Sequence, residues 1–258
     1  MQGSIVDFRE IRPRRFNDLF EGIPETGLKD RRLKWFSSDR PERCSPDHVD
    51  VEYRFNSNGY RAYHFDPNQR SILSVGCSIT FGVGISSSDR FSSVIADRLG
   101  AKDYNVGWPG SSACYVSRMV YQSFDVLQPD FTIVTFPHSN RLETFDINGR
   151  QLDYRVDSKP RDVTEKKLIK SLRTVTSDYE NIARFIKNFR LIETALAGTR
   201  WAYSLHRFDR ERLESRLPSE KRIDSLQQID TARDQMHPGV ESHREYADRV
   251  LRKFNETD

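Results

Sequence analysis

The sequence predicts an α/β fold built on a mainly parallel sheet. Two short apolar stretches, at 71–76 and 131–136, and a short strand-like stretch near 103–106 alternate along the chain with amphipathic segments of helical length. A further apolar stretch, at 201–205, follows another helical segment. Strands that alternate with helices are typical of βαβ units, whose helices cover the faces of a parallel sheet.

The helices are predicted from apolar residues at helical spacing and from residues that end helices. We expect four of them, at about 89–99, 112–127, 163–197 and 240–254. In the first, the residues that share one face are Phe91, Val94, Ile95 and Leu99. The second helix ends before Pro129, and Gly198 is suited to cap the end of the third helix.

The most polar parts of the chain lie outside these elements. We predict that residues 1–68 form an N-terminal extension packed on a main domain at 69–258. Within the extension, 51–55 alternates like a half-buried strand, and 56–59 is typical of a turn, which suggests a hairpin. The segments 142–162 and 207–232 are predicted to be polar insertions at the surface.

Composition narrows the class of protein. The 258 residues include 41 basic and 38 acidic ones, a net charge of +3, so nucleic acid is not an expected partner. No apolar run approaches the length of a membrane span, and no apolar segment typical of a signal peptide is visible. We therefore expect a protein of the cytoplasm, or one released by a non-classical route. Its three cysteines, without zinc-like spacing, indicate neither a disulfide framework nor a metal.

The residues most informative about chemistry directly follow the first apolar strand. They are Gly76-Cys77-Ser78-Ile79-Thr80. A serine at the carboxyl end of a strand can project its hydroxyl into the crevice above an open sheet. The helix that follows can direct its first amides at a developing oxyanion. The Gly-x-Ser-x-Gly elbow of α/β-hydrolases does not fit, because the fifth residue is Thr80.

A second group near the C-terminus supplies the partners that such a serine needs. Asp234 precedes His237 by three residues, and Pro238-Gly239 follows. A serine hydroxyl is a poor nucleophile until a base accepts its proton, which His237 could do. Asp234 could then accept a hydrogen bond from the other ring nitrogen and orient the imidazole.

These residues resemble blocks of the SGNH, or GDSL-like, hydrolase superfamily. Residues 76–80 resemble its first block, with Cys77 in place of the usual Asp, 105–111 its second, and 234–239 its last. Residues 55–61 also resemble a segment that precedes the first block in some members. The resemblance implies a three-layer, flavodoxin-like α/β/α sandwich with a parallel sheet of four to five strands. It implies Ser78 as nucleophile, Asp234 and His237 as its partners, and the Ser78 and Gly110 amides in the oxyanion hole.

The third block departs from the family pattern. The usual Gly-x-Asn-Asp is replaced by Pro137-His138-Ser139-Asn140-Arg141. We favour Asn140 as the side-chain donor to the oxyanion, because a carboxamide is the better donor, and Ser139 is the alternative. Cys77, His138 and Arg141 are further candidates for lining the site.

The resemblance predicts an ester hydrolase that works through an acyl-enzyme on Ser78, without a metal or an organic cofactor. The expected substrate is a small acyl group on a carbohydrate or a related alcohol. Two alternatives remain open: a weakly active or non-catalytic binding or assembly protein on the same fold, and an O-acyltransferase. The oligomeric state is left open.

Overall fold

The computed structural model describes residues 31–33, 51–56, 58–145, 151–155 and 163–256. In chain order its elements are β1 (Arg31–Leu33), β2 (Tyr53–Phe55), β3 (Ser71–Gly76), α1 (Ser78–Phe81), α2 (Phe91–Arg98), β4 (Lys102–Asn105), α3 (Ala113–Leu127), β5 (Phe131–Thr135), β6 (Arg141–Phe145), β7 (Gln151–Arg155), α4 (Val163–Val175), α5 (Asp178–Ala195), β8 (Trp201–Ser204), α6 (Arg210–Leu213), β9 (Arg222–Ile223) and α7 (Val240–Asn255).

The central sheet has five parallel strands in the order β4-β3-β5-β8-β9. The chain therefore runs from β3 to β4 on one side of β3. It then crosses to β5 on the other side. In doubly wound folds this reversal opens a crevice at the carboxyl ends of the strands, where ligands bind. The prediction of a flavodoxin-like parallel sheet of four to five strands is confirmed, and Ser78 directly follows the strand at the reversal.

Two apolar clusters fill the space between the sheet and its helices. Successive strand residues point to opposite faces, which divides each apolar strand between the clusters. One cluster contains Leu73, Val75, Val134 and Tyr203 from the sheet with Val116, Val120, Phe185 and Phe189 from α3 and α5. The other contains Ile72, Ile133 and Ala202 with Phe91, Ile95, Tyr246 and Val250 from α2 and α7. The predicted three-layer α/β/α sandwich is confirmed.

The long helix predicted at 163–197 is wrong, because the structure divides it into α4 and α5. Ser177 adopts an extended conformation, and its hydroxyl accepts the backbone N–H of Glu180 at 3.1 Å. This serine therefore caps the start of a new helix. The spacing Ser-x-x-Glu is a signature of a helix start that the apolar periodicity concealed.

The two polar insertions are more ordered than the sequence suggested. Residues 141–145 and 151–155 pair as an antiparallel hairpin, which Arg118 anchors to α3 by an ion pair of 2.5 Å with Glu143. The segment 207–232 is not only a surface excursion, because it contributes α6 and the edge strand β9. A two-residue strand is too short to produce a recognisable alternation, so the sequence pattern could not indicate it.

The described part of the N-terminal region packs against the main sheet. Tyr53 and Phe55 are buried in the same cluster as Leu73. The predicted strand is present as β2 and the turn after it contains Gly59, but the partner of β2 is the preceding β1. Most of the predicted extension before residue 51, including Cys44, lies outside the described residues. None of the described helices combines the length and the apolar character needed to cross a membrane.

The junction of α2 and α7 contains a buried histidine whose charge state is set by its surroundings. The ring of His243 stacks on Phe91 with centroids 5.8 Å apart, and its Nδ1 accepts the Phe91 N–H at 3.1 Å. Burial, followed by the charges of Arg90 and Arg61, lowers the pKa of His243 to about 3. The ring is therefore neutral in the folded protein near neutral pH.

We expect His243 to make folding less favourable in acid. In the unfolded chain a histidine has a pKa of about 6.5, so between pH 6.5 and 3 only the unfolded state binds this proton. The contribution of His243 to the free energy of unfolding is complete above pH 6.5. As the pH falls below that value, this contribution is lost by up to about 1.4 kcal/mol per pH unit. The variant His243→Asn keeps an acceptor for the Phe91 N–H, and urea unfolding should show a shallower loss of stability between pH 7 and 5. His64→Asn, at an exposed histidine, is the control; equal pH slopes for wild type and His243→Asn would contradict the assignment.

Candidate active site

Ser78 lies where the chain leaves β3 and enters α1, and its side chain is 8% exposed. A side chain at Gly76 would collide with the hydroxyls of Thr80 and Thr135, which are hydrogen-bonded to each other. Glycine is therefore required two residues before the serine, because α1 and β5 approach the backbone closely there. The tight turn presents Ser78 at the carboxyl edge of the sheet.

The second block is hydrogen-bonded directly to this turn. The side-chain amide of Asn105 donates to the Thr80 carbonyl at 2.6 Å, and its oxygen accepts the Gly107 N–H at 3.0 Å. The Trp108 N–H then donates to the Gly76 carbonyl at 3.0 Å. These bonds hold the segment that carries Gly110 beside the turn that carries Ser78.

Arg61, which is not among the described residues that line the cavity, supports the loop after Ser78, and the sequence did not indicate this role. Its buried guanidinium donates to the carbonyls of Phe81 at 2.9 Å, Gly82 and Ile85. It also lies 4.2 Å above the ring of Tyr53. Carbonyl groups left without donors at the end of a short helix are costly to bury, so a fixed cation here stabilises the loop after Ser78. The Arg belongs to the 55–61 segment that the motif comparison had indicated.

Asp234 and His237 form a closely bonded pair in one turn of chain. Asp234 Oδ2 is 2.5 Å from His237 Nδ1, and Asp234 Oδ1 accepts the backbone N–H groups of Met236 at 3.1 Å and His237 at 3.0 Å. The turn is closed by a bridge between Thr231 and Pro238. Because Nδ1 faces the carboxylate, Nε2 is the ring nitrogen left to exchange a proton with another group.

The charge state of Asp234 is set by opposing effects. The side chain is 1% exposed, and burial alone would raise the pKa of its carboxyl group. Hydrogen bonds from the ring and backbone of His237, together with the charge of that ring, outweigh burial and lower the pKa below its ordinary value. Asp234 is therefore ionised at neutral pH and can stabilise a protonated His237.

The loop after Ser78 and the turn that carries Asp234 are in direct contact. Gly84 has a φ of +78°, and its carbonyl accepts the Arg233 N–H at 3.1 Å. A Cβ atom at Gly84 would lie 2.9 Å from the Cβ of Ala232 and 3.2 Å from the Asp234 nitrogen. The two motifs, far apart in sequence, meet at this glycine because only a residue without a side chain fits between them.

Ser78 and His237 line the same cavity of about 580 Å³ at the carboxyl edge of the sheet. This volume is in the range of small-molecule sites. Two of the predicted lining residues, Cys77 and Arg141, contribute to its wall. Among the described residues that line it, Gly110, Asn140 and His138 do not appear.

The third block is held by Asp209, a residue that was not predicted from the sequence. The Ser139 N–H and hydroxyl donate to the two carboxylate oxygens of Asp209, at 2.7 and 2.6 Å. The hydroxyl of Ser139 is thus engaged by a buried carboxylate. The side-chain oxygen of Asn140 is buried without a hydrogen-bond partner among the described residues, while its backbone N–H donates to His138 Nδ1 at 3.1 Å.

His138, His206 and Asp209 place atoms of the kind that bind metals within 4.8 Å of one another. However, Nδ1 of His206 accepts the Phe208 N–H at 3.4 Å, as Nδ1 of His138 accepts that of Asn140. A neutral ring with an accepting Nδ1 carries its proton on Nε2, so that atom donates and has no lone pair for a metal. Metal-binding histidines have the reverse arrangement, with the second nitrogen as donor to an acceptor. The cluster therefore fits hydrogen-bond donation to a ligand better than metal coordination.

His206 and Arg207 are cavity residues that sequence reasoning also missed. A signal for them was present, because they follow the apolar strand β8 as Ser78 follows β3. Polar residues at the carboxyl end of any strand in such a sheet face the same crevice. No recognisable motif follows β8, so the sequence pattern did not indicate His206 and Arg207.

Comparison with solved structures finds similar proteins at low identity, whereas no family model and no curated protein matches the chain. A carbohydrate esterase family 2 enzyme with a carbohydrate-binding domain, from Corynascus thermopiles (Myceliophthora fergusii), has 14% identity and a TM-score of 0.43, over 72% of this chain and 66% of the other. A carbohydrate esterase with divergent catalytic and non-catalytic binding functions at its active site has 10% identity and a TM-score of 0.47, over 72% and 65%. A lipolytic protein of the G-D-S-L family from Desulfitobacterium hafniense DCB-2 has 9% identity and a TM-score of 0.41, over 71% and 98%. The matched region thus spans about two thirds of the two esterase chains.

We expect Gly84→Ala to destabilise the protein more than a matched change at Gly198. Gly198 has a φ of +75°, and a Cβ atom added there would meet nothing within 4 Å, so Gly198→Ala should cost only the left-handed conformation, about 1–2 kcal/mol. Gly84→Ala should cost about 1–3 kcal/mol more, because the methyl group displaces the turn of Asp234. Urea unfolding of both variants measures the difference, and equal losses would show that the contact does not constrain the turn.

Proposed function

We propose that this protein is a serine-dependent ester hydrolase that works through an acyl-enzyme on Ser78. The observation that carries the proposal is that Ser78 and His237 line one cavity, with His237 bonded to the buried carboxylate of Asp234. Nucleophile, base and orienting carboxylate are the three groups that acyl transfer of this type requires.

In the proposed reaction, Ser78 Oγ attacks the ester carbonyl while His237 Nε2 accepts its proton. The resulting imidazolium donates from Nδ1 to Asp234, whose ionised carboxylate stabilises the positive charge. As the tetrahedral intermediate collapses, His237 returns the proton to the leaving alkoxide and the acyl group stays on Ser78. Water, deprotonated by His237, then attacks the acyl-enzyme. As the bond between the acyl group and Ser78 Oγ breaks, His237 returns the proton to Ser78 Oγ and the acid is released.

The backbone amides of Ser78 and Gly110 are proposed to donate to the oxyanion of the intermediate. The first amides of a helix have no acceptor inside it, and Ser78 is the first residue of α1. The bonds from Trp108 and Asn105 to the same turn support the role of Gly110. We propose Asn140 as the third donor, because the Ser139 hydroxyl is engaged by Asp209. Gly110 and Asn140 are absent from the described lining of the cavity, so both roles rest on the resemblance of the sequence blocks.

The proposed substrate is a small acyl group on a carbohydrate or a related alcohol, the class implied by the resemblance of the sequence blocks. The hydrogen-bonding side chains in the wall of the cavity support a hydroxyl-rich alcohol; examples are Ser225, Gln227 and Gln228. A second candidate is a non-catalytic binding protein on this fold, which the replacement of the usual third block favours. The two differ in whether Ser78 reacts.

We expect Ser78→Ala to abolish turnover of 4-nitrophenyl acetate and covalent labelling by a serine-directed phosphonate. The hydroxyl is the only atom lost, so the cavity and the fold should be retained. Mass spectrometry of the intact protein measures the label, with Ser88→Ala, at an exposed serine, as the control. Labelling that survives in Ser78→Ala would refute the assignment, and a wild type inert to both reagents would favour the binding protein.

We expect Asp234→Asn to reduce kcat for the same ester by about 10²–10⁴-fold, because an amide can donate to His237 and favour the wrong tautomer. The side chain keeps its size, so the change isolates the charge. Asp248→Asn, at an exposed carboxylate of α7, is the matched control. Initial rates at saturating ester, with circular dichroism to monitor the fold, provide the measurement; a kcat within twofold of the wild type would remove Asp234 from the mechanism.

A further inference from the structure

The described lining of the cavity carries more arginines than carboxylates, with Arg141, Arg207 and Arg210 against Asp224. Arg141 and Arg207 both line the cavity, and within the described residues neither forms an ion pair with a carboxylate. Within the described part of the chain, Arg141 donates to the Ser111 carbonyl at 3.3 Å, and its buried Nε has no hydrogen-bond partner there. Arg207 is exposed above the ring of Phe208, at 4.7 Å. Both guanidinium groups therefore contribute to the cavity lining without a paired carboxylate among the described residues.

A third arginine in the same region differs from these two. Arg210 also lines the cavity, but it forms ion pairs with Glu214 at 3.3 Å and Asp224 at 2.9 Å. Its charge is thus compensated by neighbouring carboxylates. Arg210 therefore has carboxylate partners within the protein, unlike Arg141 and Arg207.

The hairpin increases the positive charge beside Arg141. In the ladder between β6 and β7, Arg141 and Arg155 are directly opposite each other. Asp209 is the buried carboxylate of this region, and both of its oxygens accept hydrogen bonds from Ser139. Among the described residues, Asp209 forms no ion pair with Arg141 or Arg207.

His206 reports the electrostatic potential at this wall. Burial first, and then the charges of His138, Arg141, Arg207 and Arg155, lower the pKa of His206 to about 4. The part of this shift that comes from the neighbouring charges reflects a positive potential, and a positive potential favours an anion. Because Nδ1 of His206 accepts the Phe208 N–H, its Nε2–H is a donor that adds to those of the arginines.

We propose that Arg141, Arg207 and His206 form a subsite for an anionic group of the substrate, such as a carboxylate or a sulfate. The inference rests on the proposed function, because the subsite shares its cavity with Ser78 and His237. The substrate class is then an ester of an acidic molecule, an acylated acidic sugar for example. Planar guanidinium groups suit oxyanions because they offer parallel donors.

Matched esters test the subsite. Mono-4-nitrophenyl succinate and its methyl ester probe the acyl side; 4-acetoxybenzoate and its methyl ester probe the alcohol side. In at least one pair, wild type should show a kcat/KM for the anionic member about tenfold above the neutral one, the effect expected of a single charge-assisted hydrogen bond. Arg207→Met and Arg141→Met should each reduce this ratio about tenfold, and Arg207→Lys should restore part of it. Arg190→Met, which removes one charge from α5, controls for net charge and should leave the ratio unchanged.

A wild-type ratio of one or less in both pairs, or a ratio unaffected by Arg207→Met and Arg141→Met, would overturn the proposal. A second measurement separates this failure from failure of the proposed function. Isothermal titration of Ser78→Ala with succinate and with 4-hydroxybenzoate, at fixed ionic strength, should detect binding that the double variant Ser78→Ala/Arg207→Met weakens about tenfold. Absence of any hydrolysis with such binding present would refute the esterase and retain the anion subsite, whereas absence of binding would refute the subsite itself.

Discussion

The contact between the loop after Ser78 and the turn that carries Asp234 and His237 is the constraint on which the site depends. The Gly84 carbonyl accepts the Arg233 N–H, and the two backbones lie too close for a side chain at residue 84. Each partner is itself supported from outside the crevice. Arg61 donates to the carbonyls after α1, and Tyr53 accepts the Gly84 N–H at 2.7 Å. The N-terminal region thus takes part in positioning the proposed nucleophile and is more than a covering of the sheet.

In the turn that carries Asp234 and His237, Asp230 connects the chain to α7. Its carboxylate accepts the backbone N–H of Ser242 at 2.9 Å and of Glu241 at 3.1 Å, and its carbonyl accepts that of Gly239. An acidic side chain is well placed there, because the first amides of a helix lack partners and carry partial positive charge. His237 therefore lies between a bridge on one side and a capped helix on the other. Both connections restrict the turn before any ligand is bound.

The fold was largely predictable because its core strands are apolar and separated by helices of ordinary length. The parallel sheet of four to five strands follows from the alternation of strands with helices together with the resemblance of the blocks. The errors have physical causes. Ser177 interrupts a helix without changing the apolar spacing, and β9 is too short for any pattern. At the site, Ser78, Asp234 and His237 could be predicted because acyl transfer requires a nucleophile, an orienting carboxylate and a base. Asp209 and Arg61 could not, since buried charges that bond to backbone leave no spacing signature.

The sequence by itself determined the types of residue available for chemistry and the strands that they follow. Local rules are sufficient for that, because a serine after an apolar strand and an Asp-x-x-His turn are features of short segments. The tertiary structure decided which polar segments meet. It joined Gly84 to Arg233, engaged Ser139 with Asp209, and brought Arg141 and Arg207 from separate segments to one cavity wall. These arrangements depend on the order of strands in the sheet and on how closely two backbones can approach, neither of which is encoded in the pattern of any single segment.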